Sequence, residues 1–66
     1  MEKYVVNRNA QSTGEHEVHK EGCSFFPDNV IILGEFTDCW KAIEEARKYY
    51  TNVDGCYYCC NPCHTR

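Results

Sequence analysis

The sequence lacks a basic surplus and any long apolar run. Its 66 residues include seven Lys and Arg against ten Asp and Glu, which gives a formal charge of −3. Non-specific nucleic-acid binding depends on a basic footprint that releases counterions, so the composition argues against a nucleic-acid partner. The longest aliphatic run covers only residues 30–33. A membrane-spanning helix needs about 20 apolar residues, so we expect no membrane association.

The N-terminal segment also lacks the pattern of a signal peptide. Residues 1–8 contain no apolar stretch followed by a small-residue cleavage site. We therefore expect a cytoplasmic protein. In that reducing compartment, clustered cysteines more often bind metal or do redox work than form permanent disulfides. A framework of three disulfides, which would require an exported chain, is the alternative.

Cysteine is abundant for so short a chain. The length predicts one small domain, residues 1–66, and a domain of this size buries only about 60% of its unfolded surface. Six of the 66 residues are cysteine, a share of about 9%, which is typical of scaffolds held together by cysteine chemistry. They are Cys23, Cys39, Cys56, Cys59, Cys60 and Cys63.

The residue pattern predicts an α+β domain. We expect a small antiparallel sheet of two or three strands, one helix and a C-terminal cysteine knuckle. Residues 3–7 and 15–20 predict a hairpin around a polar loop, and the non-alternating run 30–33 predicts a strand buried on both faces or in a central position. Thr37 or Asp38 can cap a helix that runs to about residue 50.

The tail contains two Cys-x-x-Cys pairs back to back, Cys56 with Cys59 and Cys60 with Cys63. Two cysteines at this spacing on a tight turn can present both sulfurs to one zinc ion. Successive side chains diverge, so Cys59 and Cys60 are not expected to bind the same ion. One pair should therefore be the primary one.

A second element lies upstream, where His19 is followed four residues later by Cys23. A histidine at a strand end and a cysteine in the next turn can converge with one tail pair, which predicts a tetrahedral Cys3His zinc site. Such a site would clamp the tail onto the hairpin. Further ligand candidates of lower rank are Cys60, Cys63 and His64.

The remaining cysteines and histidines have structural interpretations that need no metal. Cys39 falls on the apolar face of the predicted helix and is expected to be a small buried hydrophobe. His16 is expected on the surface, and His64 has an equal interpretation as an exposed terminal residue. Three interpretations stay open for Cys60 and Cys63: one half of a second metal site, alternative ligands of the first site, or free thiols.

Four tyrosines lie close to the knuckle in sequence. We expect most of them to pack in the core and around the knuckle, with two exposed tyrosines forming a binding surface as the alternative. They are Tyr49, Tyr50, Tyr57 and Tyr58.

The order of these parts, from about residue 16 to residue 59, resembles the Ada-like metal-binding domain. The resemblance rests on a His-x-x-x-Cys element, a connection with a proline, an apolar strand, a helix with paired alanines and a closing Gly-Cys-x-x-Cys. These parts are His19 to Cys23, Pro27, residues 30–33, Ala42 with Ala46, and Gly55 to Cys59. The resemblance implies a zinc ion bound by Cys23, Cys56 and Cys59, with His19 or another nearby group as the fourth ligand.

Two features depart from that family. Its first ligand element has two cysteines four residues apart, whereas the position four after Cys23 is Pro27. A basic DNA surface is also missing, so the methyl-acceptor activity of the Ada protein is not expected here. The tail beyond the first Cys-x-x-Cys has no counterpart in the family and resembles the ending of small cysteine-rich, zinc-binding bacterial proteins.

These observations predict a structural zinc-binding module that mediates protein interaction. No paired carboxylates, glycine-rich phosphate loop or nucleophile with a nearby base is evident, so we do not expect an enzyme. The alternatives are a thiol-reactive redox or alkyl-acceptor protein and a nucleic-acid-binding zinc module.

Overall fold

A computed structural model describes residues 1–65 as one helix packed on a four-stranded mixed sheet. The elements are β1 (Glu2–Asn7), β2 (His16–Lys20), β3 (Val30–Phe36), α1 (Cys39–Ala46), β4 (Val53–Gly55) and a 3₁₀ turn (Asn61–Cys63). The strand order is β3-β1-β2-β4, in which β4 runs parallel to β2 and the other pairs are antiparallel. The α+β class is confirmed, but the sheet has four strands and is mixed, where two or three antiparallel strands were expected.

The predicted hairpin is present as the β1–β2 pair. Val6 lies opposite Val18, and Val5 lies opposite His19. Val6 and Val18 lie on the face of the sheet that packs against the helix, and both are fully buried. This pair forms the centre of the apolar core.

The expectation for residues 30–33 was wrong in one respect. They do form a strand, but β3 is an outer strand rather than a central one, and the Ile32 side chain is 75% exposed while Leu33 is buried. The register against β1 shifts between Tyr4 and Val5. Opposite this bulge Gly34 has a φ of 124°, a conformation that glycine adopts at little cost.

The helix begins after the predicted cap residue Asp38, but it ends at Ala46 rather than at about residue 50. The Lys41 N–H donates to the Asp38 side chain at 3.0 Å, which satisfies one of the free amides of the first turn. The helix ends at Ala46, where the N–H groups of Lys48 and Tyr49 donate to the carbonyls three residues earlier and tighten the chain into a turn. Within residues 1–65, no helix has the length and apolar character needed to cross a membrane.

Strand β4 was not predicted, because the turn-forming residues 52–55 indicate a loop. Three residues are too few to show a strand period. In the structure they pair in parallel with β2, with Glu17 opposite Asp54 and Val18 opposite Gly55. This pairing carries the cysteine knuckle to the end of the hairpin.

A disulfide joins Cys39 at the start of the helix to Cys63 in the 3₁₀ turn, with the two Cα atoms 6.4 Å apart. Cys39 is buried, as expected from its place on the apolar face of the helix, but it is bonded rather than free. The bond connects the tail to the first residue of the helix.

Replacing both Cys39 and Cys63 by Ala should lower the free energy of unfolding by about 3 kcal/mol, because a cross-link across 24 residues restricts the unfolded chain. Chemical denaturation of oxidised protein measures the loss. The matched control is the same comparison in a phosphine reductant, where the natural chain and the double variant should differ by little. An equal difference with and without reductant would contradict a role for the bond.

Candidate metal centre

Four side chains converge beyond the ends of β2 and β4. One ligand atom from each of them lies within 4.8 Å of all the others, which is close enough to bind one metal ion. The four residues are His19, Cys23, Cys56 and Cys59. They are the four ligands of first rank predicted from the sequence.

The parallel pairing of β2 with β4 explains this convergence. The Cys56 N–H donates to the Val18 carbonyl at 2.9 Å, so the residue that follows β4 lies beside His19 on β2. A turn closed by the Cys23 N–H and the Lys20 carbonyl, at 3.1 Å, returns Cys23 towards the same point. Each strand end thus supplies one pair of ligands.

The distances between ligand atoms fit a tetrahedral site. The sulfurs of Cys23 and Cys56 are 3.8 Å apart, and the Cys59 sulfur is 3.9 Å from Nδ1 of His19. A tetrahedral zinc with bonds of about 2.3 Å to sulfur places two sulfurs ~3.8 Å apart. No disulfide joins these three cysteines among the described residues. The four ligand atoms are therefore close enough to bind one ion.

The groups around the cluster stabilise thiolates and orient the histidine. The backbone N–H of Lys20 donates to the Cys59 sulfur at 3.2 Å, and the N–H of Phe25 donates to the Cys23 sulfur at 3.5 Å. On the other side of the imidazole, Nε2 of His19 is 3.6 Å from a carboxylate oxygen of Glu17. The carboxylate thus lies behind the ring, on the side where ligating histidines commonly have such a partner, and Nδ1 faces the sulfurs.

Burial favours the neutral form of these groups in the absence of a metal. It raises the pKa of the Cys59 thiol and lowers the pKa of His19. The unprotonated imidazole is already the form that binds metal, whereas the thiols must release protons to the solvent. Metal affinity should therefore fall as the pH falls.

The lower-ranked candidates lie elsewhere. Cys60 is buried, and its sulfur is 4.0 Å from that of Cys59, but it is outside the group of four. Cys63 is bonded to Cys39. His64 directs Nδ1 to the Gly55 carbonyl at 2.9 Å, with a carboxylate of β4 also nearby. The structure thus brings together the first Cys-x-x-Cys pair and not the second.

His16 is half-buried rather than on the surface. Its Nδ1 is 2.9 Å from the Asn7 carbonyl, and its ring stacks on Tyr50 with centroids 3.6 Å apart. These contacts fix the start of β2 against β1 and against the turn that follows the helix.

Most of the tyrosines are more exposed than we expected. The side chains of Tyr49, Tyr57 and Tyr58 are 50%, 56% and 67% exposed. Tyr50 alone of the four is half-buried. Tyr57 and Tyr58 lie between Cys56 and Cys59 in the sequence. The turn that directs the two sulfurs towards the cluster therefore directs the two aromatic rings towards solvent.

Sequence reasoning missed two residues that support the site. Glu17 lies on the same face of β2 as His19, and this alternation was the available signal for their contact. Gly55 was expected only to supply, with Asp54, the turn before Cys56. A Cβ atom there would lie 2.6 Å from the Cys60 carbonyl oxygen and 2.8 Å from Cβ of Cys63, so only glycine allows the tail to fold over β4.

No family model, curated protein or solved structure matches the chain. The cysteine and histidine cluster is consistent with a metal-binding domain. It does not distinguish the Ada-like domain from other domains with such a cluster.

Replacing Cys59 by Ala should weaken metal binding at least ~100-fold, since even the loss of an outer partner of a ligand typically costs 10–100-fold. Competition with a chromophoric chelator gives the affinity. The adjacent Cys60→Ala variant is the matched control and should keep one ion per chain with little change in affinity. If Cys60→Ala lost the ion and Cys59→Ala retained it, the ligand set would be wrong.

Proposed function

We propose that this chain is a small structural zinc-binding module that mediates protein interaction. The observation that carries the proposal is the convergence of three cysteine sulfurs and one imidazole nitrogen within 4.8 Å. Three thiolates and one imidazole form a common ligand set of structural zinc sites. Soft thiolate ligands also disfavour magnesium and calcium, which prefer oxygen.

The ligand set supports a structural rather than a catalytic ion. Catalytic zinc usually has three protein ligands and an open position for water, whereas four protein ligands close the tetrahedron. With no position for a substrate on the metal, we propose that the chain is not an enzyme. The ion would fix the turn after β2 to the turn after β4.

The size of the domain makes such an ion important for folding. Structural zinc sites contribute about 10–16 kcal/mol in small peptides. Whole domains are stable by only about 5–15 kcal/mol. The apolar core here consists of Tyr4, a few aliphatic side chains, two alanines and buried cysteines, so we propose that folding depends on the ion.

We also propose that the chain is related to the Ada-like metal-binding domain. It is supported by the order of the elements and by Cys23, Cys56 and Cys59 standing at the positions that the resemblance implies. The missing second cysteine of the first ligand element argues against alkyl acceptance by the same chemistry. The cytoplasmic location remains a prediction.

A thiol-reactive protein is the second candidate, favoured by the surplus thiol of Cys60. Reactive thiols have a lowered pKa and are accessible. Burial instead raises the pKa of Cys60, and its side chain is only 1% exposed. These properties favour the structural module. The formal charge of −3 likewise disfavours a nucleic-acid-binding module.

Native mass spectrometry of protein purified without added metal tests the proposal. We expect a mass increase of one zinc per chain. Alkylation under denaturing conditions should then modify four cysteines without reductant and all six after reduction, because one pair forms a disulfide. Removing the ion with a chelator should abolish the tertiary signal in near-UV circular dichroism. A metal-free chain with four reduced thiols and an unchanged spectrum would contradict the proposal.

A further inference from the structure

A cavity of about 320 Å³ lies beside the metal cluster. This volume is at the lower end of the range for small-ligand sites, about 300–1,000 Å³. Its lining combines two ligand residues with a carboxylate and three aromatic rings. These residues are His19, Cys56, Glu17, Phe25, Tyr57 and Tyr58.

The three rings form one continuous aromatic surface. Phe25 stacks on Tyr58 with centroids 4.3 Å apart, and Tyr57 meets Tyr58 almost at right angles with centroids 5.1 Å apart. All three side chains are more than half exposed. Exposed aromatic surface is costly in water, and rings at right angles can surround a small group from two directions. The arrangement therefore suits a compact ligand.

The charge around the cavity selects a cation. Among residues 1–65, no Lys or Arg side chain lines it. Glu17 contributes a carboxylate, and a zinc ion with three thiolates has a net charge of −1, which is the sum of +2 and −3. Aromatic faces also attract cations through the ring quadrupole. An anionic ligand would meet repulsion from every charged group in this lining.

The lining distinguishes a methylated ammonium from a free one. A free ammonium is strongly hydrated and has three donors that need acceptors. The Glu17 carboxylate is 3.6 Å from Nε2 of His19, and the Asn7 amide oxygen already accepts from the Asn9 N–H at 2.9 Å. With the Gln11 amide, these are the carboxylate and amide acceptors of the lining, too few to replace the hydration shell of a free ammonium. A quaternary ammonium donates no hydrogen bond and is well matched to aromatic rings.

We propose that this cavity binds the trimethylammonium group of a methylated lysine on a partner protein. The inference rests on the proposed function, because part of the negative charge comes from the zinc–thiolate cluster. It deepens that function by assigning the chemistry of the partner. Stacking of a nucleobase on the same rings is the competing use, which the charge of the surrounding residues opposes.

The test titrates the full-length zinc-loaded chain with Nα-acetyl-trimethyllysine amide while the ring protons of Tyr57 and Tyr58 are observed by NMR. The matched control ligand replaces the quaternary nitrogen by carbon, which keeps the shape and removes the charge. The cation should bind more tightly than its neutral analogue by about two- to thirty-fold, the range of a cation–π contribution.

Variants then locate the site. Tyr58→Leu and Phe25→Leu should each weaken binding of the cation several-fold. Tyr49→Leu removes an equally exposed ring that does not line the cavity and should leave the affinity unchanged. Zinc content is measured for every variant, so that loss of the ion is distinguished from loss of the aromatic surface.

Equal affinity for the charged and neutral ligands, or binding of neither, would overturn the inference. If zinc is present at one ion per chain, the proposed function would survive that result. Absence of zinc would overturn the proposed function and the inference with it. Ring shifts caused by a short single-stranded oligonucleotide at low salt, without a response to the cation, would instead assign the surface to base stacking.

Discussion

The short parallel pairing between β2 and β4 determines where the tail and the four clustered Cys and His side chains lie. Only three residue pairs form it. Parallel strands must be joined by a crossover, and here the crossover contains β3 and the helix. Closing a loop of that length costs chain entropy that three pairs cannot offset alone. Two further links are available to stabilise the pairing: the disulfide from the tail to the helix, and a metal ion if the four clustered side chains at the strand ends bind one. Gly55 allows both links, because the tail packs against β4 where any other residue would have a Cβ atom.

The sequence indicated those features that depend on local chemistry. The β1–β2 hairpin, the Asp38 cap and the two candidate ligand pairs, His19 with Cys23 and Cys56 with Cys59, each follow from spacing or from side-chain type within a few residues. Features that depend on long-range contacts were not predictable in the same way. The three residues of β4 acquire their strand conformation from β2, and β3 is an outer strand although its composition suggests burial. The pairing of Cys39 with Cys63 could not be deduced either, because six cysteines allow many combinations.

The metal cluster and the exposed aromatic surface have a common origin in the knuckle. The turn that directs the sulfurs of Cys56 and Cys59 towards one point leaves Tyr57 and Tyr58 on the outside. A fixed turn can present aromatic rings to a partner with little loss of conformational freedom on binding. A structural ion would therefore contribute to recognition without contacting the ligand.

X-ray absorption spectroscopy at the zinc edge would show whether one zinc ion is bound by three cysteines and His19. We expect three sulfur neighbours at about 2.3 Å and one nitrogen neighbour at about 2.0–2.1 Å. The spectrum of a His19→Cys variant, with four sulfurs, provides the reference for the alternative coordination. Four sulfur neighbours in the natural chain would show that Cys60 or Cys63 replaces the histidine, and oxygen neighbours would show an open site; either result would exclude a closed site of three cysteines and His19.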